Sequence, residues 1–276
     1  MTEIFAIFAL IIYPNISRTF SNHTGVFNFF SKKSQSDEKL FFTTDIHSHV
    51  VPGIDDGSPS VERSVELVQR MMGWGLEKLI VTPHVTQDTF ENTPDIISGA
   101  YSELQEGLRQ AGIEIDMDYS AEYRVDEMFV EQLEEGIVRR LHGNFLLVEN
   151  SYIQEAYNLD QILFQISMKG FRPILAHPER YIYYYDKRQR YDELHGNGIL
   201  FQVNLLSLAG YYGKEPKKIA EMLIEKDYVD FVGTDLHRRA HAEIIEKYIG
   251  SKDYRRHREK LEGRIMNDQL RVPSEK

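Results

Sequence analysis

The sequence predicts an α/β protein, a β/α barrel of seven strands, and three features lead to it. Seven short apolar runs, at 40–46, 78–82, 113–121, 145–149, 173–176, 199–203 and 230–233, read as strands. Stretches with apolar residues at helical spacing separate most of them, and alternating β and α units build parallel sheets. Five of the runs end at residues of metal-ligating type: His47 and His49, His84, Glu122, His177, then Asp235 and His237. Parallel strands bring their C-terminal ends to one rim, where α/β folds assemble their sites.

The first run closes on Thr44-Asp45-Ile46-His47-Ser48-His49. Side chains alternate along a strand, so Asp45, His47 and His49 share a face, and two imidazoles with a carboxylate can begin a metal site. The turn at Pro52-Gly53 folds the chain back and returns Asp56 to the same point. A helix over 60–73 follows, with Val61, Val65, Val68 and Met72 on one stripe and Ser58 or Ser60 as its cap. The run 78–82 stops at His84, and Pro94 stands in the first turn of a helix over 94–111. The run 113–121 stops at Glu122. Helices over 126–135 and 155–169 flank the run 145–149. The run 173–176 stops at His177 and leads into a helix over 179–195. The run 199–203 precedes a helix over 216–226. The last run places Asp235 and His237 two residues apart on one face, and 240–270 reads as charged helix.

At 276 residues the chain can bury one large core. A formal net charge of -11 argues against a nucleic-acid backbone as the main partner, because that needs a basic face. Bound cations would still let such a chain take a small phosphorylated substrate. Cysteine is absent, which excludes a disulfide framework and every cysteine nucleophile, and leaves imidazole and carboxylate as ligands. These suit Mn, Fe, Co or Zn.

Residues 4–13, IFAIFALIIY, are apolar but only ten long, whereas a membrane span takes roughly 20. Glu3 is the sole early charge, so no basic leader precedes them. The segment 1–40 is expected to be poorly ordered or over-extended, with Val26 an alternative start and 31–39 a polar lead-in. The catalytic barrel and its C-terminal helices then occupy 41–276. A chain begun at Val26 is expected to express, fold and react as the full one does; loss of folding would show that 1–25 packs on the barrel.

Eight ligand-type residues, His47, His49, Asp56, His84, Glu122, His177, Asp235 and His237, exceed what one ion takes. Two or three divalent ions fit better, with Glu122 bridging a pair. Closely spaced cations suit phosphate-ester hydrolysis, since they acidify a bridging water and stabilise the leaving oxygen. Arg180 follows His177 by three residues, and Arg238 and Arg239 follow His237. These guanidinium groups either hold phosphoryl oxygens or are solvated surface arginines. Arg180, Asp235 and Glu122 are the residues expected at the reacting group. The tyrosines Tyr181, Tyr183, Tyr184 and Tyr185, with Tyr211-Tyr212, either line an aromatic groove or pack on the barrel exterior. His142, His195, His241 and His257 lack the strand-end context and are left outside the site.

Six segments occur in order: Thr44 to His49, Pro52-Gly53-Ile54-Asp55-Asp56-Gly57, Thr82-Pro83-His84, Ala121-Glu122-Tyr123, Ala176-His177-Pro178-Glu179-Arg180-Tyr181, and Thr234-Asp235-Leu236-His237. Together they resemble the PHP-domain superfamily, and within it the bacterial capsule and exopolysaccharide protein-tyrosine phosphatases of the CpsB/YwqE type. The resemblance implies a distorted (β/α)7 barrel with a trinuclear centre, often manganese. It implies His47, His49, Glu122 and Asp235 on one ion, Glu122 and His177 on a second, and Asp56, His84 and His237 on a third. Arg180 would sit at the phosphate. The implied substrate is the phosphotyrosine-bearing tail of a bacterial tyrosine autokinase that controls polysaccharide export. That partner implies a cytoplasmic protein, peripheral to the inner membrane at most. Two other readings are a PHP phosphoesterase acting on a small metabolite, such as histidinol phosphate or a nucleotide, and a non-enzymatic scaffold. Filled ligand positions weigh against the scaffold.

Overall fold

The apolar runs become short parallel strands. The computed structural model describes residues 38–270, so the expectations placed on 1–37 lie outside the described residues. The strands are β1 (Thr44–Asp45), β2 (Lys78–Val81), β3 (His84–Val85), β4 (Asp116–Tyr119), β5 (Glu122–Arg124), β6 (Phe145–Glu149), β7 (Arg172–Ala176), β8 (Leu200–Asn204) and β9 (Phe231–Gly233). They form two sheets, ordered β1-β2-β4 and β3-β5-β6-β7-β8-β9, and all of their pairings are parallel.

Where one seven-stranded sheet was expected, two appear, because Pro83 and the Ser120-Ala121 pair interrupt the ladder. Backbone bonds nevertheless cross the interruption, from Ser120 N to Val81 O (2.9 Å) and from Glu122 N to Pro83 O (3.0 Å). The chain just beyond β1 also meets the chain just beyond β9. Asp235 N donates to His47 O at 2.8 Å, and His49 N donates to Leu236 O at 3.0 Å.

Helices cover the strands: α1 (Val61–Gly73), α2 (Pro94–Gln110), α3 (Glu127–Glu135), α4 (Leu159–Met168), α5 (Gln189–Gly196), α6 (Leu205–Leu208), α7 (Lys214–Glu225), α8 (Arg239–Ile249) and α9 (Lys252–Leu261). Ser60, Thr93 and Asp126 cap the first three through their side chains, accepting from Arg63 N, Ile96 N and Phe129 N. None of the described helices is long and apolar enough to cross a membrane.

Two expected helices differ. The stretch 179–195 opens as two 3-10 turns, Pro178–Arg180 and Ile182–Tyr184, and becomes helical only at α5. Tyr181 causes this: buried, it donates its hydroxyl to Ala176 O at 2.8 Å and accepts from Asn150 N at 2.8 Å. The stretch 240–270 breaks at Gly250, and Ser251 starts α9 by accepting from Tyr254 N at 3.1 Å.

Alternation along the strands makes two cores. Leu146, Val148 and Leu175 face the helices, while Leu147, Ile174 and Ala176 face inward with Ile46, Ile80 and Phe231. Leu270 closes this inner cluster from the 3-10 turn Asn267–Leu270. The same turn fills the gap between the starts of β1 and β9. Asn267 donates to Thr44 O (2.9 Å) and Val232 O (2.7 Å) and accepts from Val232 N (3.0 Å). Asp268 Oδ1 accepts from Thr43 N, Thr43 Oγ1 and Thr44 N, each at 2.9 Å.

Asn267 thus supplies the hydrogen bonds that a neighbouring strand would otherwise give. Asn267→Ala strands three buried backbone groups, so it should lower stability by about 2–3 kcal/mol or more. Urea unfolding monitored through Trp74 measures this, and an unshifted midpoint would refute the role.

Candidate metal centre

His47 and His49 leave β1 in extended chain, so their rings fall on one face with Nε2 atoms 3.2 Å apart. Asp45 does not join them. Its carboxylate accepts from Thr234 N (3.0 Å) and Thr234 Oγ1 (2.7 Å), tying β1 to the end of β9, and burial pushes its pKa up to about 6. Gly57 brings the Asp55-Asp56 turn over His49, since a Cβ there would lie 2.1 Å from His49 O.

The eight residues picked from the sequence all fall in one set of interlocking clusters. His49, Asp56, His84 and His237 form one group, and His47, His49 and Asp235 a second. His47, Glu122 and His177 form a third, and His84, Glu122 and Glu149 a fourth. Within each, the candidate ligand atoms lie within 4.8 Å of one another. Two groupings differ from the implied sets. His47 reaches the Glu122–His177 pair, and Glu149 joins His84. Glu149 was missed, although it ends the apolar run of β6 as the other candidates end theirs.

Glu122 is the hub. Its Oε1 lies 2.8 Å from His177 Nε2, and its Oε2 lies 3.0, 3.2 and 3.4 Å from His84 Nδ1, His47 Nε2 and His49 Nε2. That Oε2 is buried without a hydrogen bond, as are Glu149 Oε2, His84 Nδ1 and His177 Nδ1.

Hydrogen bonds behind the rings set which nitrogen faces inward. Gln202 Nε2 donates to Asn204 Oδ1 (2.8 Å), which leaves Gln202 Oε1 to accept from His47 Nδ1 at 2.6 Å. His49 Nδ1 donates to Asp55 Oδ2 at 2.9 Å, and His237 Nδ1 donates to Asp235 O at 2.9 Å. In the neutral rings, all three Nε2 atoms then turn lone pairs inward, toward carboxylate oxygens that also carry lone pairs. Acceptors facing acceptors repel unless a cation stands between them, so the residues fit divalent metals. Gly233 keeps the support open, since a Cβ there would lie 2.6 Å from Gln202 Nε2 and 2.8 Å from His47 Cβ.

Charge points the same way. Burial opposes ionisation of Glu122, but His47, His84 and His177 hold it well below the usual carboxylate range. Burial likewise opposes charge on His49, yet Asp235, Asp55 and Glu122 raise it well above the ordinary value. His84 rises to about 10, with burial and His49 opposing and Glu122 and Glu149 prevailing. The pocket demands positive charge, and protons and metal ions compete to supply it.

Asp235 joins this cluster to Arg180. Its Oδ2 accepts from Asn204 Nδ2 (2.6 Å), Arg180 Nη1 (2.9 Å) and Tyr212 OH (3.1 Å). Its Oδ1 is left facing His49 and His47, at 3.4 and 3.6 Å. Asp235 (φ 49°) and His177 (φ 35°) both take left-handed backbone that non-glycine residues rarely adopt, a strain common at functional sites.

The arginines after His237 are engaged with other partners. Arg239 pairs with Glu243 (3.2 Å) and Glu66 (3.8 Å), while exposed Arg238 donates to His241 Nε2 (3.1 Å). Arg124, not singled out from the sequence, donates to Glu149 Oε1 at 3.1 Å. Tyr181 and Tyr184 are buried in the core, neither lining a groove nor packing outside, whereas Tyr152 and Tyr212 flank Arg180.

Residues 43–253 match the family model for capsular polysaccharide synthesis proteins, CpsB/CapC. The chain belongs to the CpsB/CapC family. Tyrosine-protein phosphatase YwqE of Bacillus subtilis is 27% identical over 217 residues, 75% of this chain and 85% of that protein. Tyrosine-protein phosphatase CpsB of Streptococcus pneumoniae is 29% identical over 224 residues, 75% and 91% of the two chains. Putative tyrosine-protein phosphatase CapC of Staphylococcus aureus is 23% identical over 234 residues, 84% and 92%. The fold also matches the crystal structures of YwqE and CpsB, described as unique metal-dependent tyrosine phosphatases. The TM-score is 0.69 at 24% identity, covering 83% of this chain and 95% of the other.

Removing the support of a ring should loosen the ion it holds. Gln202→Leu leaves the ring of His47 without its partner and should weaken metal affinity by roughly 10–100-fold. Glu122→Ala should strip more metal than His47→Ala or His177→Ala, because Glu122 touches four imidazoles. Elemental analysis after dialysis reads both effects, and full metal content in Glu122→Ala would contradict the hub.

Proposed function

We propose that this CpsB/CapC family member is a metal-dependent protein-tyrosine-phosphate phosphohydrolase. Its substrate in this reading is the phosphotyrosine-bearing tail of a bacterial tyrosine autokinase controlling capsule or exopolysaccharide export. The observation that carries the reading is the convergence of inward-facing imidazole and carboxylate lone pairs around buried Glu122, with Arg180 fixed beside them. The names carried by YwqE, CpsB and CapC support the phosphotyrosine assignment. We read the two sheets as one distorted (β/α)7 barrel, with the cluster at its C-terminal rim.

His47, His49 and Asp235, with Glu122, would hold one ion. His177 and Glu122 would hold a second, and Asp56, His84 and His237 a third. Glu149 would be a further ligand beside His84 and Glu122. Two or three divalent cations, manganese first among Mn, Fe, Co and Zn, would supply an acidified water and neutralise charge on the phosphoryl oxygens.

The chain's own residues do the rest. Arg180 keeps N–H groups free to bind a phosphoryl oxygen, since one edge alone is committed to Asp235. Asp55, Gln202 and the Asp235 carbonyl fix the rings, so little reorganisation is needed when charge develops. A tyrosine leaving group, with a pKa of ~10, departs as a phenolate and needs less proton donation than the alkoxide of serine. A cytoplasmic location follows from the autokinase substrate in this reading.

Matched peptides carrying phosphotyrosine or phosphoserine, assayed at equal concentration with the preferred metal, test the assignment. Phosphotyrosine should be released faster, EDTA should abolish the activity, and a divalent ion should restore it. Equal or faster release from phosphoserine would favour a general phosphoesterase. Full activity in metal-free protein would remove the mechanism.

A further inference from the structure

Three separate segments converge on the guanidinium of Arg180. Its central carbon stands 4.4 Å from the ring centroid of Tyr152, in the loop after β6, and 4.0 Å from that of Tyr212, in the turn before α7. The third contact is the 2.9 Å bond from Nη1 to Asp235 Oδ2, and the Tyr212 hydroxyl donates to the same oxygen at 3.1 Å. Among the described residues, no other acceptor takes a side-chain N–H of Arg180, so the rest of the guanidinium is uncommitted.

An arginine free to rotate would lose side-chain entropy each time it closed on an anion. Packing over two aromatic rings removes that freedom beforehand and leaves the N–H groups available. Both tyrosines are themselves held. Tyr152 stacks on His177, with centroids 5.5 Å apart and planes 28° apart, and Tyr212 is fixed through its hydroxyl.

We propose that Tyr152 and Tyr212 are positioning residues whose rings hold the Arg180 guanidinium in place for the phosphoryl group of the substrate. This rests on the phosphatase reading for the identity of the anion. The rings matter through their faces. At Tyr152 the hydroxyl contributes only a long contact, 3.4 Å to His177 Nε2. At Tyr212 the hydroxyl has a second role, steadying Asp235.

The test titrates inorganic phosphate into the Mn-loaded full chain by calorimetry, alongside KM and kcat for an aryl phosphate and metal content by elemental analysis. Tyr152→Leu and Tyr212→Leu should each weaken phosphate binding about tenfold, the scale of a desolvated cation–ring contact. They should raise KM more than they lower kcat, and Tyr152→Leu, which removes no hydrogen bond to Asp235, should leave the metal content unchanged. Tyr152→Phe should recover the parent phosphate affinity, and Tyr212→Phe most of it. Arg180→Lys keeps the charge and both rings but loses the planar group, and should bind phosphate as weakly as the Leu variants. Parent-like affinity in the Leu variants or in Arg180→Lys would overturn the proposal, as would Phe variants as weak as Leu. A protein that binds phosphate through this clamp yet hydrolyses no ester would refute the phosphatase reading and leave the clamp standing.

Discussion

A carboxylate with no exposure, surrounded by four imidazoles, sets the terms for the rest of this structure. Glu122 stays ionised only while positive charge surrounds it, and its burial makes that requirement severe. Asp55, Asp56, Glu149 and Asp235 lie around the same histidines, so the local charge is strongly negative while the imidazoles are neutral. Two or three dications would balance it. The overall charge of -11 therefore says little about the site, where bound ions would decide the sign of the field.

Holding such a cluster takes a scaffold with little give. Asp235 serves the ligand cluster with one oxygen and Arg180, Asn204 and Tyr212 with the other. A displacement on one side is thus felt on the other. The left-handed backbone at His177 and Asp235 costs of order 1–3 kcal/mol at each position. Surrounding bonds hold it in place: His177 N to Gln202 O at 2.7 Å, and Asp235 N to His47 O at 2.8 Å.

Much of this was legible in the sequence because its signals are local. Apolar runs ending in ligand-type residues located the strands, and β6 matches its expected bounds of 145–149. What local patterns could not show is which partner each side chain meets across the fold. Asp45 lies on the same extended segment as His47 and His49 but is drawn to Thr234, far away in sequence. Glu149 carried the same strand-end signal as Glu122, and its place beside His84 and Glu122 is visible only in the folded chain. Tyr152 and Tyr212 carry no motif, and only the folded chain brings them to Arg180. Helical spacing over 179–195 did not yield one helix because the buried Tyr181 hydroxyl is tied to Ala176 O and Asn150 N, and the chain around it turns in 3-10 geometry before α5 begins. Arg239 illustrates the converse: it follows His237 by two residues yet pairs with Glu243 and Glu66.

The turn at Asn267 and Asp268 has a consequence for how the molecule folds. It bonds to Thr43 and Thr44 across a separation of 224 residues or so, beyond the span matched by the family model. The two edge strands therefore lack their shared support until synthesis has passed Asp268. Contacts of such high sequence separation form slowly, because a long loop must be closed before they stabilise anything. Until then β1 and β9 keep unpaired edges, which are templates for association with other chains. The candidate ligands carried just beyond both strands, His47 and His49 on one side and Asp235 and His237 on the other, come together only once these edges are joined.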